Sequence, residues 1–153
     1  MKSTLILLLN LICLSVPAQK LEIDTILHFD GIGVHDLYLK SKEWTAHRFN
    51  NVSEVISMDI EDNFITGRYT ENYKILTGPA IPFYFSFKIS VKDGRVRIVI
   101  DNINNTYYPV EAYIWNKKGK RRKSYNYMYD GCWASIYDFV SSFDHFVKSV
   151  DDW

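Results

Sequence analysis

Residues 83–100 read FYFSFKISVKDGRVRIVI, and this stretch decides the fold. Apolar side chains occupy every second position on both sides of Asp93-Gly94, and a period of two is typical of a strand with one buried face. An Asp-Gly pair between two such runs predicts a hairpin closed by a type I′ turn. The turn sets the register, since a shift by one residue would direct every Phe towards water. Three opposed pairs follow on the buried face: Val91 and Val96, Ile89 and Ile98, and Phe87 and Ile100.

The whole chain shows strand and helix patterns in the order strand, helix, four strands, helix. The predicted strands cover residues 20–29, 54–60, 64–73, 83–91 and 95–102. Gly67, inside the third of them, indicates a bulge or the close approach of another backbone. One helix is predicted over residues 34–49, and another begins at Asp130-Gly131 with Asp130 as its N-cap. Residues 107–129 are expected to form either a long loop or an irregular extra hairpin.

Each predicted helix has apolar residues at spacings of three and four, which give it one buried face. In the first helix this face comprises Leu37, Tyr38, Ser41, Trp44, Thr45 and Phe49, and Arg48 is expected on the solvent side. In the last helix it comprises Trp133, Ile136, Tyr137, Val140, Phe143, Val147 and Val150. We expect the two helices to cover Phe85, Phe87, Ile89, Ile98 and Ile100, chiefly through Trp44, Phe49, Trp133, Tyr137 and Val140.

The first 18 residues have the composition of a cleaved signal peptide. Lys2 precedes an apolar run too short to span a bilayer, and Val16-Pro17-Ala18 offers small residues at a cleavage site. The alternative is a retained N-terminus or one lipidated at Cys13, although Ile12 is larger than the residue expected before a lipidated cysteine. Residues 19–153 would then form a single domain with no membrane span. We expect an exported protein that is periplasmic, associated with the outer membrane or secreted.

No residue pattern predicts a catalytic, metal or cofactor site. Cys132 is the single cysteine outside the leader, which excludes an internal disulfide and a thiolate zinc site. The dipole at a helix N-terminus would lower the pKa of this thiol, but His145 lies ~19 Å further along the helix. His28, Asp30 and His35 lack the spacing of a metal motif. We therefore expect Cys132 to fill space in the core, and we expect a protein that is not an enzyme and has no cofactor.

Two segments of the chain resemble a known family. The first contains Asp36-Leu37-Tyr38 and Lys42-Glu43-Trp44, followed by Phe49. The second is FSFKISVKDGR at residues 85–95. Both resemble a secreted Bacteroidetes family that is catalogued as a domain of unknown function with a TBP-like fold. The resemblance covers residues 21–104 and fades beyond them.

The resemblance implies an α+β fold, a curved antiparallel sheet of about five strands with two helices packed on one face. It implies no catalytic residues, because none has been assigned to the family. TBP itself grips the minor groove of DNA with the sheet face opposite its helices. In this chain that face would carry only two cations along the central strands, Lys88 and Arg97. Export would also separate the protein from its own genome, so we expect no nucleic acid partner.

Two surfaces remain as candidate binding sites. The first is the outer face of the central hairpin, with Tyr84, Ser86, Lys88, Arg95 and Arg97. The second is a basic run that could pair with a polyanion, formed by Lys117, Lys118, Lys120, Arg121, Arg122 and Lys123. Tyr125, Tyr127 and Tyr129 follow this run and would add stacking surface, unless they pack as an edge strand beside a solvated loop.

The near-neutral charge of the chain, 18 basic and 18 acidic residues, gives no general argument for nucleic acid or membrane binding. The sequence thus predicts a non-enzymatic binding or interaction module of the periplasm or cell envelope, whose partner is an envelope protein or glycan. The alternatives are an enzyme acting on envelope glycans or peptides, and polyanion binding through the basic run.

Overall fold

The computed structural model describes residues 20–74 and 78–149. The predicted signal peptide and Cys13 lie outside these residues. The strands are β1 (Ile23–His28), β2 (Ile56–Ile60), β3 (Phe64–Lys74), β4 (Ala80–Lys92) and β5 (Arg95–Asn104). The helices are α1 (Val34–Arg48), α2 (Val52–Val55), α3 (Glu111–Ile114) and α4 (Asn126–Ser149), with a 3₁₀ turn at Lys123–Tyr125. Among the described residues, no helix is both long and apolar enough to cross a membrane.

The five strands form one antiparallel sheet in the order β1-β5-β4-β3-β2. The long helices α1 and α4 pack against each other and against the same face of this sheet. The predicted α+β arrangement is therefore confirmed. Burial alternates along the central strand β4, whose buried residues are Phe83, Phe85, Phe87, Ile89 and Val91. The residues between them point to the opposite face, which no described helix covers.

The central hairpin forms in the predicted register. The buried face contains the three expected pairs, Val91 with Val96, Ile89 with Ile98, and Phe87 with Ile100. β3 pairs with the other side of β4 along its whole length, and β1 pairs with β5. The hairpin is therefore the centre of the sheet, and the pattern in its sequence determines which side chains the helices must cover.

The turn of the hairpin differs from the prediction. A type I′ turn needs positive φ at both central residues, but only Gly94 adopts it, with φ 69°, while Asp93 does not. The loop before α1 accounts for the difference. Asp93 Oδ1 accepts a hydrogen bond from the Val34 N–H at 2.9 Å. The carbonyl of Gly94 accepts a hydrogen bond from the Phe29 N–H at 2.8 Å, and its N–H donates one to the Ile32 carbonyl at 2.9 Å. Tertiary contacts thus select the turn.

α1 buries the face that its sequence predicts. Leu37, Tyr38, Ser41, Trp44 and Thr45 are buried, and Phe49, just beyond the helix, packs against the same core. One residue departs from the pattern, since Arg48 is not on the solvent side. Its guanidinium lies 5.5 Å from the Trp44 ring centroid and 5.3 Å from that of Phe139. Arg48 also donates hydrogen bonds to Ser142 and Asp138 at 2.8 and 2.9 Å, which join α1 to α4.

α4 buries Ile136, Phe143 and Val147 as predicted, but its buried face is shifted from the predicted one. Its buried residues are Met128, Cys132, Ile136, Phe139, Phe143 and Val147. Trp133 and Val140 are half-buried and pack against the core, as Phe49 does, whereas Tyr137 is 59% exposed, so the prediction is wrong for Tyr137. Two apolar stripes that lie side by side on one helix have the same spacing, and only contact with the sheet decides between them. Val150 lies outside the described residues.

The segment before α4 is more helical than predicted. It contains α3 and the 3₁₀ turn, and isolated antiparallel bridges join Asn104 to Pro109 and Trp115 to Arg121. The irregular hairpin, one of the two alternatives expected, is therefore limited to the residues between Trp115 and Arg121. α4 begins at Asn126, four residues before Asp130, so Asp130 is not the N-cap. The reason is that Met128 extends the buried stripe of α4 by a further turn.

Gly67 in β3 marks a close approach of backbone, as predicted. A Cβ atom at this position would contact the Val55 carbonyl oxygen and lie 2.6 Å from the ring of Phe87. The register of β2 shifts opposite this point, between Ile56 and Met58. The missing side chain therefore allows β2 and the helix α2 to lie directly against β3.

We predict that Gly67→Ala lowers the free energy of unfolding by about 1–3 kcal/mol, because overpacking a site next to fixed backbone is destabilising. Urea unfolding at equilibrium measures the change. Gly78→Ala is the control, since nothing lies within 4 Å of a Cβ atom added there. Equal stability of the two variants would contradict the assignment.

Candidate binding face and the family of the chain

The open face of the sheet presents rows of side chains from β3, β4 and β5. Pairing places these residues next to each other, since cross-strand neighbours share a face. The rows, each written from β3 to β5, are Arg68, Ser86 and Asp101; Thr66, Lys88 and Val99; and Phe64, Ser90 and Arg97. Three cations and several hydroxyl groups therefore project from one surface.

A groove of about 690 Å³ crosses this open face. Its charged lining residues are the cations Arg68, Lys88 and Arg97 and the acids Glu54 and Asp101. Its hydroxyl groups belong to Ser57, Thr66, Ser86 and Ser90. We call this region the sheet groove. Because the lining mixes both charges with hydroxyl groups, it suits a polar ligand better than an apolar one.

The three cations of the sheet groove are held in different ways. Arg97 Nε lies 2.7 Å from Asp24 Oδ1 on the neighbouring edge strand, and this hydrogen bond lowers the pKa of the Asp24 carboxyl. Lys88 Nζ lies 4.1 Å from the centroid of the Phe64 ring. The guanidinium of Arg68 lies 5.8 Å from the centroid of the Tyr84 ring.

Within residues 20–74 and 78–149, neither Lys88 nor Arg68 forms an ion pair. Both are exposed, and each is positioned by an aromatic ring instead of a carboxylate. These two cations are therefore the ones that can pair with an anionic group of a ligand without displacing an internal partner.

The structure places all five outer-face residues predicted from the hairpin on the open face of the sheet. Ser86, Lys88 and Arg97 line the sheet groove. Tyr84 lies beside it under Arg68, and Arg95 lies further along, at a smaller hollow that also contains Ile26. The five residues therefore share one surface, with Arg95 at its margin.

The sequence analysis missed the contribution of β3 to the same surface. Thr66 and Arg68 lie opposite Lys88 and Ser86, and they enclose the groove from the side of the β2 edge. The period of two along β3 could have identified this pair of residues. Their neighbours across the sheet, however, depend on the pairing of β3 with β4, which local sequence does not specify.

The basic run forms an exposed hairpin beside α4, away from the sheet groove. Asn116 caps its tip, because Asn116 Oδ1 accepts the backbone N–H groups of Lys118 and Lys120 at 2.8 and 3.0 Å. Gly119 supplies the positive φ of the turn, 69°. All six cations, Lys117, Lys118, Lys120, Arg121, Arg122 and Lys123, are exposed. Tyr125, Tyr127 and Tyr129 do not form an edge strand, since the last two belong to α4 and Tyr125 ends the 3₁₀ turn.

Cys132 lies inside the core and not at the end of a helix. It is the seventh residue of α4 and is fully buried. Burial raises the pKa of its thiol to about 12, so the lowering expected from a helix N-terminus does not occur. A thiol that stays protonated and inaccessible suits a space-filling role.

His35 joins a group of side chains that the sequence analysis did not connect. His35 Nδ1 lies 2.8 Å from Asp62 Oδ1. Glu61 lies nearby, and one atom from each of the three side chains that could ligate a metal lies within 4.8 Å of the other two. The hydrogen bond to Asp62 raises the pKa of His35. All three are exposed, so the pair is a surface contact between α1 and the β2–β3 turn.

Comparison with known proteins identifies the family. The model of the family "Domain of unknown function (DUF4468) with TBP-like fold" matches residues 24–106. The chain belongs to this family. The match confirms the resemblance found in α1 and the central hairpin, and it includes every residue that lines the sheet groove. The basic hairpin and α4 lie outside it.

Two solved structures are similar to the chain in fold. A DUF4468 family protein from Bacteroides ovatus has a TM-score of 0.55 and 16% identity, over 80% of this chain and 85% of that one. A TBP-like protein from Parabacteroides distasonis has a TM-score of 0.62 and 10% identity, over 83% and 92%. At such low identities the likeness concerns the fold alone. No curated protein is a significant match to the sequence.

We predict that Cys132 is unreactive towards thiol reagents in the folded protein. Its sulfur is buried and its thiol remains protonated near neutral pH, whereas the thiolate is the reactive form. In a Cys13→Ser background, labelling by iodoacetamide at pH 8 should become fast only when urea unfolds the chain. Fast labelling without urea would contradict the assigned core position and would support a nucleophilic role.

We predict that His35 titrates above its usual pKa of 6.5 and that Asp62→Asn lowers this value. NMR of the imidazole signals measures it. Since the folded-state pKa is raised, the pair stabilises the fold fully below the unfolded pKa, and the contribution disappears as pH rises through the folded-state pKa. Asn tolerates the positive φ of Asp62, 53°. An unchanged titration in the variant would show that the hydrogen bond does not form.

Proposed function

We propose that the protein is an exported, non-enzymatic binding module of the periplasm or cell envelope and that the sheet groove holds its partner. The observation that carries this proposal is the open sheet face itself. It combines a groove of about 690 Å³ with two cations, Arg68 and Lys88, that lack an ion-pair partner among the described residues. Polar side chains gathered on a rigid sheet are positioned by the hydrogen-bonded strands below them.

The lining of the sheet groove favours a polar partner that carries anionic groups. Arg68 and Lys88 stand on adjacent strands, one row apart, so a single extended ligand could contact both. Ser86 lies opposite Arg68 and Thr66 lies opposite Lys88, and both hydroxyl groups can donate or accept hydrogen bonds. An envelope glycan or a surface segment of an envelope protein offers such groups.

The alternative, an enzyme, has less support in the chemistry of these residues. A nucleophilic role for Cys132 conflicts with its burial and its raised pKa. The acids of the sheet groove are Glu54, in α2, and Asp101, in β5. β3 and β4 lie between β5 and β2, which follows α2, and this does not favour the carboxylate separation of about 5–5.5 Å used by retaining glycosidases.

The proposal is tested by capture from envelope extracts with three immobilised proteins. These are the wild type, the groove variant Arg68→Ser with Lys88→Ser, and the control variant Lys20→Ser with Lys74→Ser. All four substituted residues are exposed, so each variant should fold as the wild type does, and both lose two positive charges. Protein and sugar retained on each support are quantified by mass spectrometry.

We expect a partner that the wild type and the control retain equally and that the groove variant loses by about tenfold, since two charge-assisted contacts are removed. Retention of the same species at the same level on all three supports would overturn the assignment of the groove. Loss on both variants would show attraction by net charge and would also overturn it.

A further inference from the structure

A row of aromatic rings runs along the surface of α4, outside the buried stripe. Consecutive rings are 6.0, 6.4 and 5.5 Å apart between centroids, in the order Trp115, Tyr129, Trp133 and Tyr137. Tyr137 is 59% exposed and stacks on Trp133 with an interplanar angle of 25°. We call these four residues the aromatic row. The row is independent of the sheet groove, since none of its residues lines that groove.

The basic hairpin joins one end of the aromatic row. The guanidinium of Arg121 lies 4.7 Å from the centroid of the Tyr129 ring, and Trp115 and Arg121 form the backbone bridge at the base of the hairpin. From Tyr129 to Tyr137 the helix rises by about 12 Å. Exposed cations are therefore followed by three half-buried rings and then by the exposed ring of Tyr137.

The charge of the hairpin is not balanced by the described part of the protein. No residue from Lys117 to Lys123 forms an ion pair within residues 20–74 and 78–149. Exposed cations so close together repel one another, and an anionic ligand relieves that repulsion. The absence of internal carboxylate partners leaves these groups available for an external one.

We propose that the basic hairpin and the aromatic row together form a binding site for an acidic polysaccharide. Sulfate or carboxylate groups would pair with the lysines, and the apolar faces of sugar rings would pack on Tyr137 and the neighbouring rings. Aromatic side chains combine an apolar face with a polar edge, which suits the alternating surface of a sugar. A polyanion without sugar rings would use the cations alone, so the two ligand classes are distinguishable.

The test compares two probes, a fluorescent heparin hexasaccharide and inorganic polyphosphate of similar charge. Binding is measured by fluorescence anisotropy for the first and by competition with it for the second. The charge variant is Lys117→Ser, Lys118→Ser and Lys120→Ser, and its matched control is Lys20→Ser, Lys74→Ser and Lys92→Ser. The ring variant is Tyr137→Ala, and its matched control is Tyr107→Ala, an exposed tyrosine outside the aromatic row.

We expect the charge variant to weaken heparin binding by about tenfold or more and to reduce its salt dependence, while the matched lysine control leaves both unchanged. Tyr137→Ala should weaken heparin binding by roughly threefold to tenfold and leave polyphosphate unaffected, and Tyr107→Ala should change neither. Equal effects of the two lysine variants would overturn the site. Wild-type heparin affinity in Tyr137→Ala, or equal losses for both probes, would overturn the polysaccharide assignment.

Discussion

The ring of Phe139 is the contact on which the layers of this protein depend. It lies 4.8 Å from Trp44 of α1, 5.4 Å from Tyr69 of β3 and 5.1 Å from Phe87 of β4, measured between ring centroids. One side chain of α4 therefore contacts the other long helix and two central strands. The guanidinium of Arg48 lies against the ring of Phe139 and donates hydrogen bonds to Ser142 and Asp138 of α4, so its charge does not remain unpaired beside the apolar rings. Both helices are held on one face by this cluster, and the opposite face is left free of packing demands.

Local sequence predicts the buried face of an element when only one face of that element is apolar. In the central hairpin, Phe and Ile residues alternate with polar residues, and a register shifted by one residue would expose the apolar side chains. The same holds for α1, where Leu37 and Trp44 each follow a charged residue, Asp36 and Glu43. α4 is different, because Trp133 and Tyr137 are as apolar as Cys132 and Phe139 and stand one or two positions away. Spacing cannot choose between two such stripes, and the choice depends on which one meets the rings of the sheet. The start of α4 was not predictable either, because Tyr125, Tyr127 and Tyr129 alternate as in a strand although α4 begins at Asn126.

The candidate surfaces divide in a similar way. Period-two alternation places Ser86, Lys88 and Arg97 on the open face, and this part of the site follows from sequence. Arg68 becomes part of the same groove only because β3 pairs with β4, and Glu54 and Ser57 line it where Gly67 lets α2 and β2 approach. Such neighbours are separated by many residues, so no local pattern contains them. The aromatic row is harder still to predict, since its spacing assigns Trp133 and Tyr137 to the core and no local pattern connects them with Trp115.

The separation of packing from the open face also explains how one fold can persist at low sequence identity. The related solved structures share 10% and 16% identity with this chain at TM-scores of 0.62 and 0.55. A core of this kind needs apolar side chains at alternate positions. Many combinations of apolar residues meet this need at little cost in stability when the total side-chain volume is kept. The outward side chains of β3, β4 and β5 contribute little to that core, and those around the sheet groove can change without disturbing the layers. The fold therefore determines where the open face lies and how its rows of side chains align, whereas packing of the core does not determine which side chains, such as Arg68 and Lys88, stand in those rows.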